Sequence, residues 1–270
     1  MMQGGAAPRR LALEALAVGD PEEKCAAVWS IDALATVDAD CRLEPPAGLP
    51  GRPRRPELVP PAQVPRRAMS TLEGRVALLH ALAHIEFNAI NLALDIVWRF
   101  PGMPAAFYRD WFRVAAEEAT HFDLLARRLR SLGAAYGDFP AHNGLWEMAE
   151  KTQGDLLARL ALVPRTLEAR GLDASPPIRR RLAQAGDDES AAILDVILRD
   201  EVGHVAIGNH WYKWLCDREG LDPVATYEAL AERHQAPRLR GPFNLEARRA
   251  AGFDERELEA LQRMAAGAPG

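Results

Sequence analysis

From Ser70 onward, apolar residues recur at intervals of three and four through four long stretches, the spacing that lines one face of a helix. The first runs over 70–100, with Ser70 and Glu73 in capping-box spacing and Pro101-Gly102 beyond its end. The second covers 104–133, opening at Pro104 and closing at Gly133, and after a loop over 135–144 the third starts at Gly144. The fourth covers 187–220, from an acidic cap to Gly220. Four long helices on short connections predict an all-α protein built on an antiparallel four-helix bundle. Pro176-Pro177 should break the third helix before the turn at Gly186-Asp187.

Before this core, 9–18 and 21–36 pattern as two short helices, the second capped by Asp20 with Pro21 in its first position. The prolines of 44–67 remove backbone donors, so this segment should wrap the surface in extended form, pinned by Leu49, Leu58 and Val59. Beyond Asp222 the pattern allows about two short helices. The expected organisation is a helical extension (1–43), a proline-rich connector (44–69), the bundle (70–220) and a helical tail (221–270).

Composition supports this reading: 48% hydrophobic and 26% charged residues suit a soluble globular chain, and strand-like alternation is nearly absent. A net charge of −5 argues against a nucleic-acid binder. The cluster Arg52, Arg54, Arg55, Arg66 and Arg67 reads as a solvated connector. Cys25, Cys41 and Cys216 are too few and scattered for a disulfide framework or a thiolate metal site, which fits a reducing compartment. No apolar run approaches the length of a bilayer span, so a cytoplasmic protein is expected.

The chemistry lies on the helices. Glu118 stands three residues before His121, and Glu201 three before His204, so each pair shares a helix face. One Glu-x-x-His is weak evidence; two, on the second and fourth of four long helices, are much stronger. A two-metal carboxylate site also needs one carboxylate from each of the other helices. Glu86 stands in the apolar run LAHIEFNAINLAL, where burial is costly unless the charge is paired or metal-bound. It lies 15 residues before Pro101, and Glu118 lies 14 after Pro104, which puts both ~20 Å from the turn of an antiparallel hairpin. On the third helix Glu147, Glu150, Asp155 and Glu168 are candidates. Glu168 precedes Glu201 by 33 residues much as Glu86 precedes Glu118 by 32, and is preferred; Asp155 is the fallback if the helix ends near Gly171.

Glu86, Glu118, His121, Glu168, Glu201 and His204 thus form a candidate set of four carboxylates and two imidazoles. Its oxygen and nitrogen donors suit two iron ions, or manganese in their place. Asp200 is placed to orient His121, and Asp95 or Glu117 to orient His204. His80, His84 and His142 read as hydrogen-bonded structural histidines, and Arg165 and Arg170 as partners of acids or of an anionic substrate. The aromatics around Tyr108 and Trp211 read as packing for the bundle ends.

GRVALLHALAHIEFNAINLALDIVWRF, FYRDWFRVAAEEATHF, YGDFPAHNGLWEMAEKT, LARLALVPRTLEARGLD and DEVGHVAIGNHW resemble the ferritin-like di-iron superfamily, and more narrowly the bacterial family called domain of unknown function 455. LEARG is similar to the helix-three ligand segment of the tRNA-hydroxylating di-iron monooxygenases, which favours Glu168. The resemblance implies a ferritin-like bundle with a non-haem di-iron or di-manganese centre. The implied activity is that of an O2-activating oxidase or hydroxylase acting on a small molecule or nucleoside. The electron donor stays open, a homodimer is compatible, and neither membrane nor nucleic acid is expected as a partner. Iron or peroxide handling without an organic substrate, and a non-catalytic helical interaction protein, are the competing readings.

Overall fold

A computed structural model describes residues 7–65 and 68–266; Arg66 and Arg67 of the basic cluster lie outside this range. The described residues form helices and no strand beyond one isolated bridge between Leu58 and Ala141. They divide into two compact units, 1–146 and 147–270.

The first unit is built on α3 (Leu72–Arg99) and α4 (Ala105–Ser131), packed as a hairpin. Helix α1 (Pro8–Ala17) packs on α3, and α2 (Pro21–Trp29) on α4. Asp20 caps α2 by accepting from the Glu22 and Glu23 N–H groups. The helix stops at Trp29, short of the expected 36, because the Asp32 carboxylate takes the Leu34 N–H in a local turn that competes with helix. The cap of α3 is Thr71 and not Ser70: Thr71 is extended and its hydroxyl accepts from Gly74 N at 3.0 Å.

Helix α3 corrects a second expectation, since by length and composition it is apolar enough to cross a membrane. Its apolar window is 72% buried within the protein, so that apolarity serves the core.

The proline-rich segment is pinned by backbone more than by its apolar side chains; Leu58 is 42% exposed. Val59 N donates to Ala141 O at 2.8 Å and Ala141 N to Glu57 O at 2.9 Å. Gly51 N donates to Leu16 O, and a Cβ at Gly51 would stand 2.2 Å from the Ala17 carbonyl oxygen, so this crossing demands glycine.

In the second unit the third helical stretch is divided. Helix α5 (Gly144–Lys151), within which the unit boundary falls, ends where the Ala149 carbonyl accepts from Arg159 instead of continuing the helical ladder. Asp155 then caps α6 (Leu156–Leu162), which passes into a π-helical segment, Val163–Glu168. Helix α7 (Arg170–Gln184) follows and runs through Pro176-Pro177, against expectation. The Leu172 carbonyl, which an N–H at 176 would have bonded, accepts from Asn244 Nδ2 at 3.2 Å, which offsets part of the loss. Helix α8 (Asp188–Glu219) packs on α7, with Asp187 as its cap and Gly220 left-handed at its end.

The tail forms three helices, one more than expected: α9 (Pro223–Arg233), α10 (Leu245–Ala250) and α11 (Glu255–Ala266). Ala251, Phe253 and Leu258 join Ala169, Leu172 and Val205 in one buried cluster, so the tail completes this unit's core.

Candidate metal centre

In the first unit Glu86 on α3 and Glu118 and His121 on α4 converge in the interior, at 3%, 0% and 0% exposure. The hairpin sets the two carboxylates at one height, and the one-turn spacing stacks His121 over Glu118. His121 Nδ1 lies 3.3 Å from Glu118 Oε2 and 3.4 Å from Glu86 Oε2. One ligand atom from each residue can be chosen so that all lie within 4.8 Å of one another. Phe87 and Phe122, adjacent in sequence to these residues, pack in a tilted arrangement with ring centroids 5.7 Å apart and add apolar wall to the same interior.

Burial together with the neighbouring Glu118 charge pushes the Glu86 carboxyl upward, with the His121 bond opposing. Burial alone would depress His121, but its bonds to Glu118 and Glu86 outweigh that and raise it. Without a metal the triad therefore holds protons between closely spaced acceptors. Two carboxylate oxygens and an imidazole nitrogen, sealed from water, are a donor set that a hard or borderline divalent cation fits.

In the second unit, Glu201 and His204 are buried on α8, with His204 Nδ1 4.0 Å from Glu201 Oε2. Glu168 is half-buried at the last position of the π segment, a distortion frequently found at functional sites. That segment packs on α8 through a close approach: a Cβ at Gly208 would stand 2.6 Å from Pro164 Cβ. Asp155 is committed to its cap, accepting from Ala158 N at 2.9 Å, while Glu147 and Glu150 are exposed.

Of the orienting acids, Asp95 is fully buried and accepts from Trp98 Nε1 at 3.2 Å and from Arg99 at 2.7 Å. Asp200 pairs with Arg199 at 2.8 Å. His80 and His84 are structural: His80 Nε2 accepts from Gly137 N, and His84 bridges the Tyr136 hydroxyl and the His142 carbonyl. Burial lowers each to about 4, so both are neutral near pH 7. His142 accepts from Gly144 N and anchors its loop.

Sequence reasoning missed the π segment, whose one signal was Pro164 within an otherwise unbroken helical pattern. It also missed the buried pairing of Arg165 with Glu257 at 2.8 Å, which nothing local in the sequence announces.

The chain belongs to the family described as protein of unknown function DUF455, whose model matches residues 17–259. It is 47% identical over 259 residues to a Haemophilus influenzae (strain ATCC 51907 / DSM 11121 / KW20 / Rd) protein described as uncharacterised, a match covering 91% of this chain and 90% of the relative. No solved structure matches.

Proposed function

We propose that this chain is a ferritin-like, non-haem di-iron protein, with manganese as the alternative metal, that activates O2 to oxidise or hydroxylate an organic substrate. The ligands in this reading are Glu86, Glu118 and His121 together with Glu168, Glu201 and His204. The observation that carries it is the convergence of Glu86, Glu118 and His121 at near-zero exposure, where two like charges and an imidazole have no stabilising role that apolar side chains would not fill better. The recurrence of Glu-x-x-His at Glu201 and His204, also buried, extends the argument to a second metal.

When bound, a reduced iron pair would supply electrons to O2. The chain's own contribution is charge, geometry and dryness. Glu86 and Glu118 supply anionic oxygens, and their negative charge offsets that of the cations. His121 presents Nδ1 toward the same point, and it must give up its proton for that nitrogen to serve as a donor. The buried Phe87 and Phe122 keep water from the site.

The test is metal content by mass spectrometry on untagged protein, loaded anaerobically with Fe(II), for the native chain and for Glu118→Ala and Glu168→Ala. About two iron atoms per chain, reduced in both variants, and rapid consumption of O2 on its admission are the expected results. Metal content unchanged in both variants, or no metal after iron and manganese loading, would overturn the reading. Stoichiometric iron inert toward O2 would remove the oxygen chemistry and leave a metal-binding protein.

A further inference from the structure

We propose that the C-terminal tail is a positioning device for Glu168: α9, α10 and α11 hold the residues on either side of it and fix the widened helical turn that presents its carboxylate. The inference rests on the assignment of Glu168 as a metal ligand. The turn is π-helical, with Ala169 N donating to Pro164 O, five residues back, at 3.0 Å. Pro164 has no N–H for the carbonyl four residues before it, which weakens the competing α register without abolishing it. A return to that register would turn Glu168 by about 100° around the helix axis relative to α6.

Each tail helix reaches this stretch. Tyr227 on α9 meets Thr166, which is fully buried, with the two hydroxyl oxygens 3.0 Å apart. The Thr166 hydroxyl gives its proton to Ala161 O at 2.9 Å, so Tyr227 is the donor between them. A threonine in an α-helix bonds the carbonyl three or four residues back; Thr166 reaches five back, which matches the widened register. Glu257 on α11 accepts from Arg165 Nη2 at 2.8 Å, with both side chains buried. Arg248 on α10 donates through Nη2 to Ala169 O at 3.3 Å, and Ala169 is buried in one cluster with Phe253 and Leu258.

These contacts fall on residues 165, 166 and 169 and so bracket Glu168. Arg165 is balanced by Glu257 and Arg248 by Asp173, so the charges of the cluster are matched within this unit and its contribution is geometric. Apolar packing tolerates a slip of register. A buried ion pair and a chain of two hydroxyls do not, because a slip leaves charges and donors unmatched away from water. A contact that only stabilised the fold would lower stability when removed and leave the iron affinity of the folded protein unchanged; a positioning contact changes that affinity.

The test compares the purified full-length chain with Tyr227→Phe, Thr166→Val and Thr166→Ser. Iron per chain and its affinity are read by mass spectrometry over an anaerobic Fe(II) titration, and hydrogen exchange across 163–169 is read on the metal-free protein. About two iron atoms are expected in the native chain and in Thr166→Ser, which keeps the hydroxyl. Tyr227→Phe and Thr166→Val break the hydroxyl chain, and each should hold one of the two irons at least roughly tenfold more weakly. The Ala169 amide should exchange faster in both and at the native rate in Thr166→Ser. Tyr227 is partly exposed, so Tyr227→Phe stays folded should Thr166→Val not. A folded Tyr227→Phe with native iron affinity, or equal losses in Thr166→Ser and Thr166→Val, would overturn the positioning role alone. A native chain that takes up no metal would overturn the ligand assignment and this inference with it.

Discussion

His121 Nδ1 stands 3.4 Å from Glu86 Oε2, an approach made between neighbouring helices of one hairpin and repeated at 3.3 Å within α4 to Glu118. The imidazole is thus shared by two carboxylates in a dry interior. That arrangement is costly for a protein to maintain without a cation, and each of its consequences can be measured.

Glu86→Gln should separate metal binding from folding. In the metal-free protein it removes one buried acid from a crowded pair, so the melting temperature should stay level or rise. Adding Fe(II) or Mn(II) at about 100 times the dissociation constant should stabilise the native chain by roughly 2.7 kcal/mol, and the variant far less. Equal stabilisation of both by metal would place the cation elsewhere.

Metal entry should release protons. Glu86 and His121 are both raised, so near pH 7 the metal-free triad retains protons that coordination must expel. Titration calorimetry in two buffers of different ionisation enthalpy should therefore give different apparent heats, and affinity should increase as pH rises. Identical heats in the two buffers would contradict this.

Stability should fall on mild acidification. His80 and His84 are lowered by burial to about 4, below the unfolded value near 6.5. Between those values the unfolded chain binds more protons than the native one. Their contribution is therefore complete above about pH 6.5 and is lost as pH falls toward 4. The loss should be on the order of 1–3 kcal/mol for each histidine. His84→Gln should flatten this dependence, read from urea midpoints at pH 7 and pH 5. His84 Nδ1 lies 2.9 Å from the Tyr136 hydroxyl, and its Nε2 lies 3.0 Å from both the His142 carbonyl oxygen and Asn88 Nδ2.

Gly208→Ala should disturb the π segment. The new methyl would meet Pro164 Cβ at 2.6 Å, and overpacking of this kind costs about 1–3 kcal/mol. A lower urea midpoint is expected, together with reduced metal content, because Glu168 ends the displaced segment. An unchanged midpoint would show that the contact relaxes freely.

The sequence by itself determined the parts that depend on local periodicity. Three of the four long helical stretches, those over 70–100, 104–133 and 187–220, the Asp20 and Asp187 caps and the Gly220 stop were legible, because a helix's face and ends are set by residues a few positions apart. The meeting of Glu86 with Glu118 and His121 was legible too, since a fixed rise per residue and a short turn leave one height for each position on a hairpin. Only the tertiary structure decided the rest. Helix α7 continues through Pro176-Pro177 with Asn244 bonded to the exposed Leu172 carbonyl, and the π segment sits where Gly208 lets Pro164 approach. Phe253 and Leu258 in the tail close a core begun by Leu172 and Val205. These outcomes turn on contacts between residues far apart in the chain, whose energies no local pattern encodes.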